Sequence, residues 1–371
     1  MIRRPPRSTH CISSAASDVY KRQDINSLSF LIFCGSGNNG GDGLVVARTL
    51  LDYTNSIKVI LIGDVQKMSE ETLSNYLAVE KMGIEIQEVK SSEDLILIEN
   101  ELKRSDVVVD AMLGIGLAGA LRGYILKAVE LINRYGKYVV AVDVPTGVDS
   151  DNGRVYNTAV KADLTVTFGL PKLGLFIYPA REYVGKLKIS SIGIPISVRN
   201  SDSIKRELVT KNVVRNLLPP RPSWGHKGTF GRLLIVSGSK RYTGAPILVS
   251  LGALRSGCGL VYTVVPEPHN TVVTSKIPEV VSLPIKTKRG FFDEDSITQI
   301  SEFVSKADSI VIGPGISMED ETVKFVENLL PNIAERPAVL DADALNIVSK
   351  NKSLLRDFSN VVITPVSYTH L

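Results

Sequence analysis

Two doubly wound α/β domains, each a parallel sheet with helices on both faces, are what this 371-residue sequence predicts. Three observations carry that expectation. From Leu28 onward, short apolar runs alternate with helical patterns, the order from which parallel sheets are built. A glycine-rich segment, GSGNNGGDG at residues 35–43, joins the apolar run LSFLIFC to the helical pattern LVVARTLL. A second strand–glycine–helix series begins at Arg232, beyond the proline cluster LPPRP at 218–222. Length agrees, at roughly 150 residues per domain.

The first strand is the run at 28–34, and its glycine segment marks a tight turn into a helix. Glycines let the backbone approach a ligand, and the unpaired N–H groups of a helix start attract phosphate. Asn38, Asn39 and Asp42 add side-chain oxygens that a plain phosphate loop does not need. The run IKVILIG at 57–63 is the next strand and ends at Asp64. Glycines 35, 37 and 40 satisfy G-x-G-x-x-G, and Asp64 stands near the place of a ribose-binding acid, which keeps a dehydrogenase as a rival reading of this Rossmann-like sheet.

Residues 106–110 (DVVVD) form a buried strand, 125–134 a helix, and 138–144 (YVVAVDV) another strand. The segments 164–168 and 187–194 continue the sheet. Three loops therefore leave strand ends: 35–43, the glycine-bearing run after Asp110, and DVPTGVD at 143–149. Ligands of open parallel sheets bind at such ends. Oxygens of Asn39, Asp110 and Thr146 suit a hard cation, with potassium and magnesium both open on these residues alone.

Charge excludes a nucleic-acid partner. The net +4 resides in residues 1–23, where five basic residues face Asp18 alone, leaving 38 basic and 38 acidic residues elsewhere. That segment and 366–371 read as non-native tails from an adapter or vector. Three cysteines make no disulfide framework or zinc cluster, and no apolar run reaches membrane-spanning length. A cytoplasmic protein without membrane contact is expected.

The motifs GSGNNGGDG, VVVDAMLGIGL, AVDVPTGVDSDNG and TVTFGLPKLG, in that order, resemble the NAD(P)H-hydrate epimerase domain over about residues 28–195. The resemblance implies epimerisation of NADH or NADPH hydrated at C6 of the nicotinamide ring, with K+ as cofactor. It implies that Asn38, Asn39, Gly40, Gly41 and Asp42, with Gly114, Ile115, Gly116, Leu117, Ala118, Gly119 and Ala120, contact the hydrate. Asn39, Asp110 and Thr146 would hold K+, and Asp143 would lie on the ring as the catalytic acid–base group. A homo-oligomer is expected, and the helices that precede the family's first strand have no counterpart in 1–23.

The series WGHKGTFGR, YTGAP, VIGPG and LDADALN resembles the ADP- or ATP-dependent NAD(P)H-hydrate dehydratase, a ribokinase-like α/β fold. Ala245 and Gly315 would then touch the hydrate. The family's His-Pro-Gly and Gly-Thr-Gly-Asp loops, which carry the nucleotide and the catalytic aspartate, do not follow Pro365, so a partial domain is expected. The resulting boundaries are 24–205 for the epimerase domain, 206–218 for a linker and 219–365 for the partial dehydratase domain. Two alternatives stand beside this reading: a dehydrogenase using Asp64 on a ribose, and a non-catalytic binding protein on the same fold.

Overall fold

The computed structural model describes residues 25–117 and 119–366. Residues 1–24 and 367–371 lie outside them, and with them most of the two expected tails. Contacts divide the chain into two units between Leu208 and Val209.

Unit 1 is a seven-stranded, all-parallel sheet of β1 (Phe30–Cys34), β2 (Ile57–Leu61), β3 (Glu85–Glu88), β4 (Val107–Ala111), β5 (Val139–Val142), β6 (Leu164–Phe168) and β7 (Lys186–Ser190). Their order is β3-β2-β1-β4-β5-β6-β7. Helices α1 (Asn38–Leu50), α2 (Glu70–Lys81), α3 (Ser92–Arg104) and α4 (Gly123–Tyr135) connect the first strands. Successive side chains of β1 point to opposite faces, and all five are buried. Phe30, Ile32 and Cys34 join a core that includes Leu44 and Leu50 of α1 and Val79 of α2. Leu31 and Phe33 join a second core with Ile98 of α3 and Ile132 of α4. Both faces are therefore covered, which is why β1 is an unbroken apolar run.

The chain leaves β1 toward β2 but returns to its other side at β4. This reversal opens a crevice between β1 and β4, the expected ligand position. Phe33 pairs with Asp110, and Asp110 with Ala141, so the acid sits near the carboxyl end of the central strands. The weakly apolar elements α2, β3 and α3 were not singled out in the sequence. The short helices α5 (Ile196–Arg199) and α6 (Lys211–Leu217) follow β7, so the expected linker at 206–218 carries a helix.

Unit 2 is a six-stranded parallel sheet of β8 (Arg232–Val236), β9 (Leu260–Pro266), β10 (Val281–Ile285), β11 (Ser309–Ile312), β12 (Ala338–Leu340) and β13 (Val361–Ile363). The order β10-β9-β8-β11-β12-β13 places its own reversal between β8 and β11. Its helices are α7 (Ala245–Ser256), α8 (Asn270–Lys276), α9 (Asp295–Lys306), α10 (Asp320–Ile333) and α11 (Asp343–Lys350). A core runs from Leu234 and Val236 through Phe292 and Phe325 to Leu340 and Ile347. The edge strand β13 exposes Val362 and Ile363.

Candidate active site

The glycine segment is less of a loop than its composition predicts. Helix α1 starts at Asn38, so residues 38–43 are already helical. The reason is packing. A Cβ on Gly40 would lie 1.8 Å from the Gly35 carbonyl oxygen, and one on Gly43 would lie 2.5 Å from the Ala111 Cβ. A Cβ on Gly41 would meet the Thr72 hydroxyl of α2 at 2.8 Å. The glycines let α1 press onto β1, β4 and α2, and its first N–H groups, unpaired within the helix, open at the crevice. Asn38 accepts a hydrogen bond from the Ser69 hydroxyl at 3.0 Å.

The three strand-end loops converge as expected. Asp110 is fully buried. Its Oδ1 accepts from the Thr146 hydroxyl at 2.7 Å and from the Met112 N–H at 3.3 Å, and its Oδ2 accepts from the Thr146 N–H at 2.8 Å. The Leu113 N–H donates to the Thr146 hydroxyl oxygen at 3.0 Å. A Cβ on Gly114 would touch Asn39 at 3.1 Å, so α1 and the loop after β4 meet at that pair. Burial pushes the Asp110 carboxyl up to about 6, against the opposing effect of its Thr146 hydrogen bonds. Burial first, and the nearby Asp110 second, also raise the Cys34 thiol; this cysteine is a core residue.

Asn39 Nδ2 is buried and has no hydrogen-bond partner. The Asn39 side-chain amide carries an oxygen as well, and with the Asp110 carboxylate and the Thr146 hydroxyl it supplies the oxygen types that a singly charged cation would take. Among the described residues no cluster of three His, Cys, Asp or Glu side chains exists for a transition metal.

Asp143 follows β5 in the left-handed region, at φ 64. Its Oδ1 takes the Thr167 hydroxyl at 3.0 Å, the Phe168 N–H at 3.0 Å and the Lys172 ammonium. Lys172 also donates to the Thr167 hydroxyl oxygen at 2.9 Å and to the Phe168 carbonyl at 3.1 Å. Its side chain is only 19% exposed, which leaves a nearly dry ion pair. Oδ2 of Asp143 has no hydrogen-bond donor among the described residues. Sequence reasoning quoted Lys172 within TVTFGLPKLG but gave it no role. A lysine four residues beyond a strand end was the available signal.

The loop after β4 carries Gly116 and Gly119 at φ 101 and 116, and Ile115 stands 66% exposed on it. Ala118 lies outside the described residues. Asp64, the alternative ribose acid, accepts from the Gln66 N–H at 3.0 Å as the cap of a short 3-10 helix. In unit 2, Gly315 sits at φ 67, where a Cβ would approach Ala245 and Tyr242 to 2.7 Å. The two residues expected to touch a hydrate there are thus neighbours.

Two family profiles match the chain: YjeF-related protein N-terminus over residues 7–174 and NAD(P)H-hydrate dehydratase over residues 233–368. A Bifunctional NAD(P)H-hydrate repair enzyme of Moorella thermoacetica is 38% identical over 90% of this chain and 63% of its own length. Proteins of the same name from Dictyoglomus turgidum and Thermofilum pendens are 36% and 39% identical, over 93% and 87% of this chain and 66% and 61% of theirs. The chain thus spans somewhat under two thirds of the length of these curated relatives. Taken with the two sheets and their reversals, the matches show that the chain belongs to the two-domain family that joins a YjeF-related N-terminal domain to an NAD(P)H-hydrate dehydratase domain.

Proposed function

We propose that unit 1 epimerises NADH and NADPH hydrated at C6 of the nicotinamide ring, as a cytoplasmic metabolite-repair step. The observation that carries this reading is the anchored Asp143: three donors hold one carboxylate oxygen, and among the described residues none donates to the other. C6 of the hydrate bears a hydroxyl beside the ring nitrogen, so loss of hydroxide leaves a resonance-stabilised iminium. The C6–O bond breaks with its electron pair going to oxygen, and the Lys172–Asp143 pair supplies the proton that makes it water. Water then adds to the opposite face of C6 and returns its proton to the pair. The proton leaves from the Lys172 ammonium, and the Asp143 carboxylate takes the proton of the incoming water and passes it back to Lys172, so the pair serves as acid and base in turn.

Asn39, Asp110 and Thr146 would hold K+, whose charge favours the anionic part of a bound dinucleotide. The N-terminal end of α1, with Asn38 and Asp42, and the loop 114–120 would seat the hydrate. Homo-oligomer formation belongs to the same proposal.

For unit 2 we propose the hydrate as ligand, next to Ala245 and Gly315, with ADP or ATP driving dehydration in the relatives' full-length form. The first assignment is tested by supplying the R hydrate and following the S epimer by NMR, the second by adding ATP or ADP to a full-length relative and watching for NADH absorbance. Epimer exchange no faster than in buffer would refute the first, and absorbance that does not return the second.

A further inference from the structure

A cavity of about 450 Å³ opens in unit 2, among Lys240, His269, Thr287, Lys288, Arg289 and Gly290. Its walls follow the carboxyl ends of three neighbouring strands. Lys240 comes after β8, His269 after β9, and residues 287–290 after β10. No carboxylate lines it. Lys288 meets Asp295 at 3.4 Å, and Arg289 meets Glu319 and Glu321 at 3.8 and 3.7 Å, all from outside the lining. Lys240 has no acidic partner among the described residues.

Two details make this more than a basic surface. The Lys240 N–H donates to the Gly290 carbonyl at 2.9 Å, tying the β8 and β10 loops so that their cations share one rim. Gly290 stands at φ 82, and a Cβ there would press on Lys240 at 3.2 Å and on His269 Nε2 at 3.4 Å. His269 Nε2 itself is buried without a hydrogen-bond partner. Burial first, and Lys240 second, lower the imidazole's proton affinity. A neutral ring can still donate through one N–H. A buried polar atom without a partner calls for a ligand group.

We propose that this cavity is a phosphate-monoester site, with Lys240 and Arg289 supplying charge and His269 Nε2 a hydrogen bond. The β8 loop that carries Lys240 also carries Tyr242, whose Cβ lies against Gly315. A dinucleotide lying near Ala245 and Gly315 could therefore extend toward the cavity, and the 2′-phosphate of an NADPH-type hydrate is one source of the monoester. Only that source rests on the function proposed above; the site rests on its own geometry.

The test uses the full chain, titrated calorimetrically with inorganic phosphate, 2′,5′-ADP and 5′-AMP. Saturable phosphate binding is expected, weakened tenfold or more by Lys240→Met and by Arg289→Met, both at exposed positions. His269→Phe should weaken it as well, with circular dichroism confirming the fold. Binding that does not saturate, or that ignores all three substitutions, overturns the proposal. A tenfold preference for 2′,5′-ADP over 5′-AMP, abolished by Lys240→Met, assigns the site to the dinucleotide. Equal binding of the two nucleotides, with phosphate still sensitive to Lys240→Met, supports the site and assigns it to a free phosphate or another monoester. Epimer exchange in Lys240→Met reports separately on unit 1, so failure of one reading is visible apart from the other.

Discussion

At the carboxyl end of the unit 1 sheet, Asp110 and Asp143 are 0% and 9% exposed and are met by donors from adjoining loops. At the carboxyl end of unit 2, Lys240 and Arg289 stay exposed around an open cavity. The two sheets share a topology of parallel strands with one reversal, so the difference comes from the loops. In unit 1 the charges are desolvated, and each must be paired within the protein because an unpaired buried charge is costly. In unit 2 the charges keep their water and can be given to a ligand. A preorganised, dry arrangement suits bond-making, and a hydrated one suits recognition of an anion.

The largest effect expected from this contrast is catalytic. Lys172→Met and Asp143→Asn should each slow epimer exchange by about 10²–10⁴-fold, the usual range for a general acid–base group. Because the two act as one pair, the double variant should be little slower than either single one. NMR exchange rates at saturating hydrate decide it. Fully multiplicative losses would show that Lys172 and Asp143 work separately.

Next comes a comparison of glycines. Gly40→Ala forces a Cβ to within 1.8 Å of a backbone oxygen that belongs to the same rigid turn. A cost of about 3 kcal/mol or more is expected, since overpacking here moves backbone. Gly290→Ala meets the Lys240 Cβ at 3.2 Å and has a positive φ, so about 1–2 kcal/mol is expected from local strain. Denaturant unfolding of both variants measures the gap. Equal costs would remove the claim that unit 1 is the more rigidly built site.

How much of this was readable in the sequence differs between the units for the same physical reason. Strands such as FLIFC and SIVI are buried on both faces, so they stand out as apolar runs. Strand β3 (EIQE) lies at the sheet edge and carries charge, so no periodicity betrays it. That Asn39, Asp110 and Thr146 lie close to the carboxyl ends of strands was legible, because the apolar runs before them mark those ends. That Gly40 and Gly43 serve helix packing was not legible, since a loop glycine and a packing glycine are the same letter. Lys172 was hidden likewise: only the left-handed turn at Asp143 and the burial of both side chains bring the pair together. The cavity around Lys240 joins three loops distant in sequence, which no local pattern records.

A smaller effect separates the cation site from a purely structural acid. Asp110→Asn keeps the shape but replaces a charged acceptor of two Thr146 hydrogen bonds with a neutral one. About 1–3 kcal/mol of stability should be lost. In the native protein, melting in KCl should occur above melting in choline chloride, because a ligand that binds only the folded state stabilises it. The difference should vanish in Asp110→Asn. A salt-independent melting point in the native protein would leave Asp110 as a structural acid alone.

The smallest expected effect decides between the epimerase reading and the dehydrogenase alternative. In a dinucleotide fingerprint the acid at the end of the second strand binds a ribose hydroxyl. Here Asp64 occupies that place, yet its carboxylate accepts from the Gln66 N–H at 3.0 Å and lies 3.8 Å from Lys67, with its side chain 47% exposed. That is the work of a cap on one short turn. Asp64→Ala should therefore cost about 0.5–1 kcal/mol, as loss of a cap does, and should leave both hydrate affinity and epimer exchange unchanged. A ribose-binding acid would behave otherwise, because its removal strips a hydrogen bond from every bound dinucleotide. Titrating native and Asp64→Ala protein with NADH and with its hydrate distinguishes the two. Tight NADH binding that collapses on substitution would favour the dehydrogenase, whereas weak NADH binding indifferent to Asp64 leaves the polar crevice of Asn39, Asp110 and Asp143 as the recognition surface.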